Sequence, residues 1–235
     1  MKKQILLLFL LYSIVEFTQK KEMVDNFWKG NYDKTIEIGK QILQSEPNDF
    51  ETILLIARKK KKKGNFKNAI PYLESAKKMM SEDWQKSWAF IELAKNSFGT
   101  GKLDDAKLFY NEALKVKGTK NSEKELKKFG MLTGLDEYYK NWKIRETQNI
   151  IFHFENSINE NEIERITKTR QIAFEQINAF FNSKLPKKID FFVWNLNESY
   201  NQILNTNLGF SNPVFCISHN RLNQTTGQEI SHNIS

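Results

Sequence analysis

The sequence has little cysteine and lacks the common nucleotide motifs. Cys216 is the only cysteine among 235 residues, so no disulfide can form within the chain and the fold must hold by packing alone. We expect Cys216 to be a core residue rather than a nucleophile, because a lone cysteine at the end of an apolar stretch usually packs. No GxGxxG pattern follows a strand and no Walker pattern occurs, so nothing in the sequence indicates a nucleotide or flavin cofactor.

A long hydrophobic run is also missing. The apolar run from Ile5 to Val15 follows Lys2 and Lys3 and is too short to span a bilayer, which needs about 20 residues. It has the size of a secretory signal core. We predict that residues 1–19 are a signal peptide and that the protein is exported to the periplasm or the extracellular space. An uncleaved anchor is the alternative, because no small-x-small cleavage pattern follows, and it would be the only membrane contact.

Basic residues concentrate in the first part of the chain. The net charge is +8, and residues 146–235 contain nine acidic and seven basic residues, which leaves +10 for residues 1–145. The run Arg58–Lys63 contributes much of this charge. It contains none of the interleaved aromatic residues on which the bases of a single-stranded nucleic acid would stack. We interpret the run as a solvated carboxyl end of a helix, where cations are favourable, and expect no nucleic-acid partner. An anionic partner is the alternative.

Three segments share one pattern, in which glycine, a polar residue, a large apolar residue, two polar residues and a small residue follow one another. They begin at Gly30, Gly64 and Gly101, at separations of 34 and 37 residues. Twelve residues after each glycine stands Ile42, Ala76 or Ala113. A period of 34 resembles the tetratricopeptide repeat, a helix-turn-helix unit whose stacked copies bury a common core. We predict three repeats at about 20–49, 50–83 and 87–120.

The period ends near residue 122 and the pattern changes. Apolar residues at steps of three and four from Glu123 to Trp142 predict a capping helix with a polar outer surface, within a cap and linker at 123–145. Residues 149–154 and 189–194 predict strands around a helix at 160–181. A short helix at 198–204, a third strand at 214–218, and a helix capped by Thr226 and beginning at Gly227 complete the α/β segment 146–235.

The segment 146–235 resembles the front portion of a peptidase-MA-like, gluzincin-type domain. The resemblance depends on the order of these elements and on Gln228-Glu229-Ile230-Ser231-His232, which stands where that family has HExxH. The expected fold class is therefore an α-helical tetratricopeptide solenoid followed by a partial α/β (α+β) zincin-like domain, mostly α overall. The resemblance assigns the catalytic role to Glu229, which would act on zinc-bound water, and a metal-ligand role to His232.

The first zinc ligand of that motif is replaced. Two imidazoles at i and i+4 can reach one zinc ion, whereas the neutral amide of Gln228 is a much weaker donor. The family takes its third ligand from a glutamate farther along the chain, and the sequence stops at Ser235. His219 is a conceivable substitute, but we expect both His219 and His153 to be hydrogen-bonded or solvent-facing instead. Zinc thus belongs to the complete family domain, and we expect none in this chain.

Two functions remain open at this point. The first is an exported adaptor whose concave repeat surface binds a protein or peptide, with an inactive downstream segment. The second is a fragment of an extracytoplasmic zinc metallopeptidase with a repeat docking module. A fragment, a decayed copy and a binding platform without catalysis would each account for the altered motif, and we prefer the adaptor for the chain as written.

Overall fold

The structure is a computed structural model that describes residues 18–62, 64–205, 208–223 and 228–234. The described part of the chain is mostly helical with a small five-stranded mixed sheet. None of its helices combines the length and the apolar character needed to cross a membrane. The predicted signal segment, including Ile5–Val15, lies outside the described residues.

Three helix-turn-helix pairs and a seventh helix form the first part of the fold. The helices are α1 (residues 18–29), α2 (Tyr32–Ser45), α3 (Phe50–Lys62), α4 (Phe66–Met79), α5 (Asp83–Gly99), α6 (Leu103–Leu114) and α7 (Lys120–Thr133). Gly30, Gly64 and Gly101 lie in the turns within the pairs, with φ of +82°, +73° and +78°. A side chain is strained in this left-handed region, so the predicted glycine turns have a backbone reason.

Small residues allow the helices of this array to pack closely. Ala57, Ala69, Ala76 and Ala106 are fully buried. The longer separation of the second and third glycines has a simple origin in helix length. α5 contains 17 residues whereas α3 contains 13. α5 begins at Asp83, before the predicted start of the third repeat at 87, because Glu82 and Gln85 form a capping box there.

The predicted capping helix at 123–142 is too long. α7 ends at Thr133, because Gly134 adopts φ +76° and terminates the helix. Asp136 then caps a short 3-10 helix at Glu137–Tyr139. The apolar spacing continues past Gly134, so periodicity alone did not reveal the break.

The sheet has the order β1-β2-β3-β5-β4, in which β2, β3 and β5 are parallel and the two edge strands are antiparallel. The strands are β1 (Lys143–Glu146), β2 (Ile150–Phe154), β3 (Ile189–Trp194), β4 (Phe210–Asn212) and β5 (Ile217–Arg221). α8 (Glu160–Phe181) joins β2 to β3, α9 (Asn197–Leu204) follows β3, and α10 (Gln228–Ile234) follows β5.

The predictions for β2, α8 and β3 are confirmed, whereas β1 and β4 were missed. The third strand begins later than predicted, at Ile217 rather than Val214, because Cys216 has φ +50° in the preceding turn. Cys216 is buried, as expected. The predicted start of the last helix at Thr226 and Gly227 lies outside the described residues.

The sheet lies between two layers. One face packs against α8 and α10 through the apolar residues of β2 and β3, among them Phe152 and Phe191. The other face packs against the helical array, where Phe192 and Trp194 share a cluster with Phe98 and Phe129. The array and the α/β segment therefore share one apolar core across the predicted boundary at residues 145 and 146.

Candidate functional site

The last helix positions His232 at the surface. Ile230 and Ile234 are buried against the sheet and α8. The buried Asn233 donates from Nδ2 to Ser218 Oγ at 2.7 Å, which fixes α10 on β5. His232 is exposed on the same helix. The side chains of Gln228 and Glu229 lie outside the described part of the structure, so the proposed catalytic role of Glu229 stays a prediction.

His219 is a buried hydrogen-bonding residue. Its Nε2 donates to the backbone oxygen of Leu132 at 3.0 Å, and its Nδ1 accepts from Trp194 Nε1 at 3.1 Å. Burial lowers the pKa of His219 to about 3, so the ring is neutral at physiological pH. Both nitrogens are occupied, and the imidazole connects β5 to α7 rather than offering a lone pair to a metal.

His153 lies on the opposite side of Phe192 from His219. The two imidazoles stack on that ring at centroid distances of 4.2 and 4.3 Å. His153 Nε2 lies 2.8 Å from Asp190 Oδ1, and Asp190 also pairs with Lys187. Burial favours a high Asp190 pKa, but His153 and Lys187 outweigh it and lower that pKa. Both histidines are hydrogen-bonded, as one of the two predicted alternatives stated.

These residues do not form a zinc site. Within the described ranges, no three His, Cys, Asp or Glu side chains gather closely enough to hold a metal ion. His219 and His153 each have a structural partner, so neither is placed to complete a site at His232. Of Gln228, Glu229 and His232, only the side chain of His232 is described, so the expectation about zinc stays a prediction.

Two lysines of the basic run in α3 are buried rather than solvated, which corrects the interpretation from sequence for these residues. Lys59 and Lys61 are 1% and 5% exposed. Lys59 Nζ donates to the backbone oxygen of Phe27 and lies 3.8 Å from the centroid of that ring. Because both side chains are buried, neither ammonium group is accessible to an anionic partner. The local pattern did not reveal their burial, because α1 and α5 cover this part of α3.

Lys61 pairs with a buried acid, Glu92, which was not predicted from the sequence. Glu92 on α5 is 2% exposed and pairs with Lys61, with Arg58 at 3.3 Å and with Lys95 at 3.5 Å. Burial lowers the Lys61 pKa to about 8, against the attraction of Glu92. Burial also opposes ionisation of Glu92, but the three cations outweigh it and lower the Glu92 pKa. The available signal was a lone acid inside the apolar stretch Phe90–Ala94.

Arg58 connects this ionic cluster to an aromatic surface. Its guanidinium carbon lies 4.9 Å from the Phe27 centroid and 4.7 Å from the Trp88 centroid, so rings from α1 and α5 flank it. Trp28, in edge-to-face contact with Phe27, is 75% exposed. We call the buried Phe27, the half-buried Arg58 and Trp88, and the exposed Trp28 the aromatic face. Tryptophan and arginine are the residues that most often dominate binding energy at protein interfaces.

Comparisons of the chain with protein-family models, with curated proteins and with solved structures found no significant match.

Proposed function

We propose that this chain is an exported tetratricopeptide-type repeat protein that binds a protein or peptide partner, and that its α/β segment serves the fold rather than catalysis. Support for the repeat assignment comes from the three helix pairs, each with a left-handed glycine in its turn. Stacked repeats of this kind present one helix of each pair along a continuous surface.

The aromatic face carries the proposal. It extends over α1, α3 and α5, the first helices of the three pairs. Arg58 is held by Glu92 and by two rings, so little side-chain entropy remains to be lost on binding. Trp28 adds a large apolar side chain that the described fold leaves mostly in water. A rigid cation beside an exposed indole suits a peptide that supplies an apolar anchor and an acceptor.

Site-specific photo-crosslinking tests this proposal. A photoreactive phenylalanine analogue at position 28 should give a discrete crosslinked product with a protein or peptide partner in the native host. The matched control is the same analogue at position 114, because Leu114 on α6 is also well exposed, at 59%, but lies outside the aromatic face. Equal labelling from both positions, or none from position 28, would reject the aromatic face as the binding surface.

A fragment of an extracytoplasmic zinc metallopeptidase is the second candidate. The observation that favours it is the exposure of His232 on a helix that follows the strand-helix-strand order of the resemblance. The side chains of Gln228 and Glu229 lie outside the described residues, so no catalytic step is assigned to this chain. Equilibrium dialysis against zinc and a casein-cleavage assay on a Gln228→His version of the full-length protein test this candidate. Failure to bind zinc and to cleave casein would remove it.

A further inference from the structure

A small basic cavity lies between α8 and the carboxyl ends of β3 and β5. Its volume is about 150 Å³, and Arg165, Thr169 and Arg170 line it from α8. Asn220 and Arg221 line it from the end of β5. It is separate from the aromatic face, because its residues all belong to the α/β segment. Neither the peptide-binding proposal nor the peptidase resemblance uses it.

Asn220 is the decisive residue. It is 2% exposed, and neither its amide nitrogen nor its amide oxygen has a hydrogen-bond partner in the structure. A buried polar group that is left without a hydrogen bond destabilises the fold. Ser218 contacts α10, and residues alternate along β5, so Asn220 lies on the same face of the sheet as α8. The side chain therefore brings one donor and one acceptor to the cavity without using either within the fold.

The charged residues that line the cavity are basic. Arg165, Arg170 and Arg221 are among the lining residues, and none of the described lining residues is acidic. The guanidinium carbon of Arg221 lies 5.9 Å from the Tyr200 ring, on the opposite face of the sheet, so the cations on the side of Asn220 come from α8. Arg165 pairs with Glu162 at 2.6 Å, one turn earlier on α8 and outside the lining. Guanidinium groups bind carboxylates and phosphates through paired N–H donors in one plane. The two arginines of α8 favour a dianion over a monoanion, because the attraction grows with the ligand's charge.

The volume limits the ligand. A cavity of about 150 Å³ holds a molecule of benzene size. A single phosphate group fits this space, whereas a complete nucleotide does not. The organic part of a phosphate monoester would have to extend out of the cavity, whose lining residues Arg165 and Thr169 are exposed.

We propose that this cavity binds a phosphate group, either as inorganic phosphate or as the head of a small phosphate monoester. The arginines donate to the non-bridging oxygens. Asn220 Nδ2 donates to another phosphate oxygen, and Asn220 Oδ1 accepts a hydrogen bond from a protonated phosphate oxygen or from a hydroxyl group of the ester. Binding thus satisfies the two amide atoms that the fold leaves unpaired.

Calorimetric titration of the full chain with inorganic phosphate and with glycerol phosphate tests the proposal. Acetate at matched ionic strength serves as the monoanion control. We expect phosphate or its ester to bind with a Kd of about 1 mM or tighter and acetate at least tenfold more weakly. Tenfold tighter binding of the ester would identify a phosphate monoester as the ligand, and equal binding would identify the free ion. Acetate binding as tight as phosphate binding, or no phosphate binding, would overturn the proposal.

Two variants and one control separate this site from general charge attraction. Arg170→Gln and Asn220→Ser should each weaken phosphate binding at least tenfold, with unchanged circular dichroism confirming that they fold. Lys168→Gln removes the same charge from α8 at an exposed position outside the cavity, and it should bind phosphate like the wild type. Equal weakening in Lys168→Gln and Arg170→Gln, or unaltered binding in Arg170→Gln, would show that the cavity is not the site.

Discussion

Glu92→Gln would remove the charge that three cations share in the interior of the helical array. Lys61 and Glu92 are almost fully buried, and removal of one partner from a buried ion pair costs about 3–5 kcal/mol. Lys61 Nζ keeps its hydrogen bond of 2.9 Å to the backbone oxygen of Glu92, so we expect the lower end, about 3 kcal/mol, of lost unfolding free energy.

The opposite substitution should cost much less. In Lys61→Met, Glu92 retains Arg58 at 3.3 Å and Lys95 at 3.5 Å, and a methionine of similar length fills the space of the lysine stem. We expect a loss of about 1 kcal/mol, because the buried acid stays paired. The structure thus predicts an asymmetry of about 2 kcal/mol between two substitutions that each remove one charge from the same pair.

The loss of unfolding free energy caused by Glu92→Gln should also become smaller as the pH rises. The folded-state pKa of Lys61, about 8, lies below the ordinary value of 10.5. The unfolded chain therefore binds a proton that the folded chain releases, and the Lys61 contribution to the unfolding free energy rises between pH 8 and 10.5. Removal of Glu92 lowers the Lys61 pKa further. The loss of unfolding free energy in Glu92→Gln is therefore larger at pH 7 than at pH 10.

Urea denaturation followed by tryptophan fluorescence and circular dichroism, at pH 7 and pH 10, measures these differences. Glu112→Gln, which loses an exposed partner of Lys115, provides a control with no measurable change expected. If Lys61→Met destabilises the protein as much as Glu92→Gln, the three-cation account of Glu92 is wrong.

Three further predictions follow from single residues. Because His219 has a folded-state pKa of about 3 against 6.5 when unfolded, the unfolded state binds more protons below pH 6.5. Its contribution, about 3 kcal/mol, should therefore be lost between pH 7 and 4, and acid titration of His219→Gln should show a shallower loss. Gly64 has φ +73° and no neighbour within 4 Å of an added Cβ, so Gly64→Ala should cost about 1 kcal/mol in urea and Gly64→Asn less. Trp28→Ala should leave the thermal midpoint unchanged, since Trp28 is 75% exposed, yet reduce partner capture by at least tenfold. A lowered midpoint in Trp28→Ala would instead assign that indole to the fold.

Features that depend on residues close together along the chain were predictable from the sequence. The turns at Gly30, Gly64 and Gly101 follow from a backbone conformation that glycine adopts without strain. β3 could be placed because a strand buried on both faces is mostly apolar, and Asp190 is the only polar residue of this strand. β5 was misplaced by three residues because the apolar run begins before Cys216, whose positive φ belongs to a turn rather than to a strand.

The candidate sites could be predicted only in part. The sequence suggested Glu229 and His232 by resemblance, and the structure describes His232 as an exposed side chain on α10. The sequence did not indicate that Arg58 lies between rings from α1 and α5. The basic cavity was also missed, because Arg165 and Asn220 are 55 positions apart and belong to different elements.

The sequence by itself determined the helix pairs, their glycine turns and the central strands, because local backbone energetics and apolar spacing specify these elements. The tertiary structure decided which charges enter the interior. Lys59 and Lys61 belong to one lysine run but have different partners. Lys59 contacts the backbone oxygen and the ring of Phe27, whereas Lys61 pairs with Glu92. Burial and pairing of a charge depend on the elements packed against it, which local spacing does not encode.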